Sequence, residues 1–111
     1  GDLFAFESSK MKFAETLTII NDQFDAVLLM HSEIKNITKG LEEIKHKWNG
    51  PVGTYPHTGQ FIRPNWHHDS RYTPELYLKD MRNWVDQGVN ILGSCCGMGP
   101  EYISVLSKNF S

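Results

Sequence analysis

Val89-Asn90-Ile91-Leu92-Gly93-Ser94-Cys95-Cys96-Gly97-Met98-Gly99-Pro100-Glu101 decides how the chain reads. Its first four residues form a short, largely apolar run that suits a buried strand. Gly93 and Gly97 turn the backbone, and Pro100-Glu101 opens a helix. One βα unit is therefore written into thirteen residues. Cys95 and Cys96 are the only two cysteines of the chain, side by side at the tip of the predicted strand. Two thiols framed by glycines suit a thiolate metal site, because glycine allows a sharp turn and leaves space above the sulfurs. The same pair also reads as two small buried hydrophobes, since free cysteine packs readily in cores.

Working outward, the same alternation repeats. Phe24 to Met30 is a largely apolar run of strand length, as expected when both faces of a parallel strand are covered. Ile34, Ile37, Leu41, Ile44 and Trp48 then fall on one helical stripe with charged residues between them; Ser32 is the expected N-cap and Asn49-Gly50-Pro51 the stop. Val52 to Tyr55 is a second strand, followed by a long polar loop from Pro56 to Thr73. Thr73-Pro74-Glu75 starts the next helix, with Leu78, Met81, Trp84 and Val85 inward and Gly88 at its end. After the cysteine turn, Ile103, Leu106 and Phe110 are expected to face inward. Upstream, Phe13, Leu17 and Ile20 mark an earlier helix, and Leu3 to Phe6 a strand remnant. The class is α/β: three to four βα units on a parallel sheet with right-handed crossovers, one domain over residues 1–111.

A chain of 111 residues is one domain at most. Its formal charge of −2 supplies no basic patch for nucleic acid or an acidic membrane. No stretch approaches the roughly 20 apolar residues that cross a bilayer, and no signal-peptide pattern opens the chain. Two adjacent cysteines make no disulfide framework, so a reducing, cytoplasmic setting is expected. The first residue, Gly1, reads as a tag remnant or a cut edge.

In parallel-sheet architectures the chemistry sits at the C-terminal ends of the strands. Three polar sets fall there: Met30-His31-Ser32, Tyr55-Pro56-His57-Thr58-Gly59 and Gly93-Ser94-Cys95-Cys96. Other chemistries find no support. Gly97-Met98-Gly99-Pro100 lacks the lysine and spacing of a phosphate loop, and no Ser-His-Asp arrangement is suggested. His46, among lysines, and His67-His68, in the long loop beside Trp66, Asp69 and Arg71, read as solvated surface.

Residues 89–103 resemble the C-terminal signature of the homocysteine S-methyltransferase family, approximately G-G-C-C-G-T-x-P-x-H-I. Tyr55-Pro56-His57-Thr58-Gly59-Gln60 is similar to that family's Y-P-N-S-G-E, and Trp84 to Gly88 to its W-x-x-x-G. Phe24 to Val27 with Met30-His31-Ser32 resembles its strand ending G-x-N-C. The resemblance spans about residues 24–106. It implies the C-terminal part of a (β/α)8 TIM barrel in which zinc, held by three cysteines, binds homocysteine as a thiolate. That thiolate takes a methyl group from a donor to give methionine, as in methionine biosynthesis. A free thiol is mostly protonated at neutral pH, and zinc coordination deprotonates it.

Carried over residue by residue, Cys95 and Cys96 become zinc ligands. The position of the third cysteine is held by His31, which is either a substitute ligand or an ordinary polar residue at a strand end. Tyr55 and His57 become candidates for substrate contact at the barrel mouth. A whole barrel needs about 250 residues, so an incomplete active site and open sheet edges are expected. An oligomer, or a partner chain completing the sheet, would cover them. The rival readings are a non-catalytic, diverged half-barrel and a metal-binding or interaction module.

Overall fold

A computed structural model of the chain describes residues 12–19 and 23–110. The first helix, α1 (Phe13–Leu17), begins where the Glu15 carboxylate accepts a hydrogen bond from the backbone N–H of Lys12 at 3.0 Å. The expected Ile20 end of this helix and the Leu3 to Phe6 strand lie outside the described residues. Three βα units follow: β1 (Val27–Glu33) with α2 (Ile34–Lys45), β2 (Val52–His57) with α3 (Pro74–Asp86), and β5 (Ile91–Leu92) with α4 (Pro100–Phe110). Between β2 and α3, the stretch read as loop folds into an antiparallel hairpin, β3 (Gln60–Ile62) and β4 (Asn65–His67). Phe61 pairs with Trp66 across it.

The main sheet has the order β1-β2-β5 and is parallel throughout. Val27 pairs with Val52 and Met30 with Tyr55; a bulge after Met30 moves the register, so that Ser32 meets Pro56 and Glu33 meets His57. His31 sits in that bulge with φ of 53°, a left-handed conformation that few residues other than glycine adopt. The structure is thus the α/β, partial TIM-type architecture expected, with three units and no closed barrel among the described residues.

All four described helices contribute to one core. Ile37, Leu41 and Ile44 of α2, Tyr77, Met81 and Trp84 of α3, and Tyr102 and Leu106 of α4 are buried together with Leu17, Val52 and Val89. Val27, Leu29 and Leu92 pack against this cluster from the sheet, and Thr54 is buried with its hydroxyl 3.9 Å from the Met81 sulfur. The opposite face, with Leu28 and Met30 of β1, is different. These two residues are 40% and 44% exposed, although both faces of the strand were expected to be covered. The described helices cover only the Leu29–Thr54–Leu92 side, so the apolar run is long enough for a doubly covered strand but half of it meets solvent.

Three further expectations are corrected. Ser32 does not cap α2: its hydroxyl donates to the Met30 carbonyl at 2.9 Å, Glu33 is the N-cap residue, and no side chain caps it. On α4, Leu106 is buried, but Ile103 and Phe110 are 44% and 39% exposed, and Tyr102 takes the inward position. On α3, Leu78 and Val85 are half-buried and Tyr77 is fully buried. The two tyrosines pack edge to face at 5.5 Å, and each hydroxyl finds a carbonyl, Tyr77 that of Gly93 and Tyr102 that of Tyr72. A polar tip with an available acceptor let them outcompete smaller apolar residues for the centre. Thr73 does cap α3, accepting from the Leu76 N–H at 3.3 Å.

Burial holds the hydroxyls of Tyr72 and Tyr77 protonated well above the ordinary phenol range, Tyr72 further through its hydrogen bond to Asp80. The native state keeps protons that the unfolded chain releases above about pH 10, so stability falls as pH rises beyond that value. In an ultraviolet titration, phenolate absorbance from these two residues is expected only together with unfolding. Their ionisation in a still-folded protein would contradict the packing described.

Candidate functional site

The three strand ends meet. Beyond β5, the Gly93 N–H donates to the Thr54 carbonyl at 3.0 Å, which continues the ladder by one residue. A Cβ at Gly93 would run into the Tyr55 ring, so glycine is what lets that ring lie against the strand beneath the turn. The turn is then tied to the end of β2 by two backbone bonds of opposite sense. Cys95 N–H donates to the Pro56 carbonyl at 2.9 Å, and Thr58 N–H donates to the Cys96 carbonyl at 3.1 Å. Gly97 completes the turn with φ of 79°, where a side chain would meet the Thr58 carbonyl.

This scaffold leaves the sulfurs at the surface. Both cysteines are free; Cys95 is half-buried and Cys96 exposed, so the reading of the pair as core packing is overturned. Their sulfurs stand 3.8 Å apart, and Cys95 Sγ lies 3.1 Å from His31 Nδ1. The bulge and left-handed backbone at His31 bring its ring across from β1 to β5, over the end of the intervening strand. Cys96 holds its proton above the ordinary thiol range, through its hydrogen bond with Cys95 first, then burial and the charge of Cys95.

Two sulfurs on one tetrahedral zinc at about 2.3 Å each would be about 3.8 Å apart, so the spacing of this pair suits a shared soft cation. The imidazole contacts one sulfur, and among the described residues no group of three or more His, Cys, Asp or Glu side chains is arranged to hold a metal ion. The donor set therefore fits zinc in its chemistry and in its two sulfurs, while the third donor is not gathered around a common centre.

The remaining sequence candidates separate. Tyr55 lies under the cysteine turn, against Gly93. His57 is half-buried and meets the Trp66 ring edge-on at 5.3 Å. It faces a cleft of about 570 Å³ with Glu33, Gln60, His67, His68 and Tyr72 among its walls. The charges at its rim are largely paired, Lys35 with Glu33 at 2.9 Å and Arg71 with Asp69 at 2.9 Å; hydrogen bonds from Arg71 hold the Asp69 carboxyl below the usual range. His46, His67 and His68 are exposed, as expected.

Sequence reasoning missed the hairpin. Trp66 Nε1–H donates to the Thr58 carbonyl at 2.8 Å, and His68 Nδ1 lies 2.6 Å from the Gly97 carbonyl. The available signal was Phe61-Ile62 and Trp66 on either side of Arg63-Pro64, apolar residues flanking a proline turn in a mostly polar stretch, because large rings in a loop need something to pack against.

A family model described as homocysteine S-methyltransferase matches residues 7–110. Homocysteine S-methyltransferase YbgG of Bacillus subtilis is 26% identical over 88 residues, covering 77% of this chain and 27% of that protein. Homocysteine S-methyltransferase 2 of Arabidopsis thaliana is 29% identical over 78 residues, 68% of this chain and 22% of the relative. A selenocysteine methyltransferase of Astragalus bisulcatus is 30% identical over 64 residues, 55% of this chain and 19% of the relative. The matched stretch is thus about a quarter or less of each relative's length. Among the described residues no helix is long and apolar enough to cross a membrane.

Proposed function

The chain belongs to the homocysteine S-methyltransferase family, and on that premise we propose that it supplies the metal-and-thiol side of a methyl-transfer site. Cys95 and Cys96 are the zinc ligands, and His31 is the third donor in place of a cysteine. Zinc, when bound, holds the substrate sulfur as a thiolate at neutral pH. The substrate is the thiol of homocysteine. Its sulfur lone pair forms the new bond to the methyl carbon, the methyl–donor bond breaks, and that electron pair leaves with the donor, giving methionine. Tyr55 and His57 contact substrate beside the turn, Tyr55 from its place against Gly93 and His57 on the cleft side. The reading is carried by one observation: two sulfurs 3.8 Å apart with an imidazole 3.1 Å from one of them, at the C-terminal ends of parallel strands. A reducing, cytoplasmic compartment suits two thiols that must stay reduced.

Metal analysis of the purified chain, followed by a methionine-formation assay with homocysteine and each of several methyl donors, tests this. Stoichiometric zinc is expected of the chain alone, and methyl transfer where an oligomer or a partner chain completes the site. Metal-free protein with two reactive thiols sinks the zinc assignment, and zinc without turnover leaves a metal-binding module.

We propose further that a second copy of the chain covers the apolar face bearing Leu28 and Met30, because one symmetric contact would bury this face on both copies. Sedimentation is expected to show a dimer that Met30→Lys dissociates. A wild-type protein that stays monomeric across the concentration range rules it out.

A further inference from the structure

The hairpin β3–β4 stands outside the sheet and contributes little to the core, yet Trp66 of β4 and His68 just beyond it reach back toward the cysteine turn, one through Thr58 and one directly. Trp66 Nε1–H donates to the Thr58 carbonyl, and the N–H of the same Thr58 donates to the Cys96 carbonyl. The second contact is His68 Nδ1 with the Gly97 carbonyl. A carbonyl only accepts, so Nδ1 carries the proton in this contact. The Trp66 ring is itself packed against two others, Phe61, stacked at 6.5 Å, and His57, T-shaped at 5.3 Å. The carbonyl of Cys96 and that of the next residue are thus both held from the β2–hairpin segment. We infer that Trp66 and His68 are positioning residues, a latch that keeps the turn in the one conformation where the two sulfurs stand side by side. The inference rests on the cysteine pair being the working site, and it assigns the hairpin a task in that site: limiting the freedom of two adjacent thiols, one half-buried and one exposed. A ligand that needs both sulfurs at once binds more tightly when that freedom is already lost.

The test uses phenylarsine oxide, a trivalent arsenical, on the reduced full chain with chelator present. Two S–H groups react at the arsenic–oxygen unit to give two As–S bonds and water, so the probe reads the sulfur pair without zinc. Loss of one such hydrogen bond is expected to weaken the arsenical about tenfold in Trp66→Phe and in His68→Ala. Labelling of single thiols by a maleimide should stay within about twofold, since exposure does not change. His68→Asn should restore wild-type affinity, because its amide N–H is placed much as Nδ1–H was. The latch is overturned if Trp66→Phe and His68→Ala bind the arsenical as the wild type does. It is overturned equally if maleimide rates shift in parallel, or if His68→Asn behaves like His68→Ala. A wild-type protein without zinc or methyl transfer would remove the function proposed above and leave this outcome readable by itself.

Discussion

Cys95→Ser is expected to abolish stoichiometric zinc and to lower methyl transfer at least about 100-fold, more than disturbing the surroundings of a ligand typically costs. The reason is chemical and not structural. A serine hydroxyl keeps its proton where a thiol on zinc gives it up, and oxygen is a poorer match than sulfur for this ion. The backbone bond from residue 95 to the Pro56 carbonyl is untouched by the change, so the turn should keep its shape. The metal content should fall to zero while circular dichroism stays close to wild type, and the melting temperatures should agree once both proteins are stripped of metal, since bound zinc itself adds stability. His31→Ala separates the two possibilities for that histidine. A ligand role predicts a large loss of zinc affinity, whereas an imidazole that only neighbours Cys95 leaves the metal content unchanged. Full zinc occupancy in Cys95→Ser would remove the site altogether.

Trp84→Ala carries the largest expected effect on stability, about 3–5 kcal/mol. Trp84 is fully buried at the junction of α2 and α3. Its indole N–H donates to the Thr38 hydroxyl of α2 at 3.1 Å, and its carbonyl accepts from Val89 at the entry to β5. Truncation leaves a cavity the size of an indole and removes the bond between the two helices. Against a domain stability of about 5–15 kcal/mol, such a loss consumes much of the margin. Urea unfolding should show the midpoint falling steeply with little change in slope. Trp84→Phe keeps most of the ring volume and loses the hydrogen bond, so a smaller decrease is expected. Equal stability of Trp84→Ala and wild type would mean that the α2–α3 junction is not where the core is anchored. The tryptophan that contributes to the family resemblance is, in this structure, a packing residue far from the sulfurs in role.

The order of strands and helices was legible because each βα unit carries its own punctuation. Thr73-Pro74 starts α3 and Pro100 starts α4 by local backbone chemistry, and both helices begin there. The cysteine turn was legible because glycines flanking Cys95-Cys96 signal a tight turn, although the groups that exclude a side chain at Gly93 and Gly97, the Tyr55 ring and the Thr58 carbonyl, come from β2 and the residue after it. The inward faces were less legible. Hydropathy placed Ile103 and Phe110 in the core of α4, but Tyr102 is there, because what decides burial is whether a hydroxyl finds an acceptor on another element. The same holds for Tyr77 and the Gly93 carbonyl.

The candidate site divides along the same line. Sequence alone determined the class of fold, the three units, the family, and the position of two thiols at a strand tip, since all of these depend on residue type and short spacing. Tertiary structure alone decided that His31 reaches Cys95, that the long loop is a hairpin tied to the turn through Trp66 and His68, and that the Leu28–Met30 face is open. Residues 31 and 95 are joined by a bulge and a three-strand register, and residues 68 and 97 by a hairpin folding back. Contacts of that kind arise from how whole elements are stacked, and no local pattern in the chain encodes them.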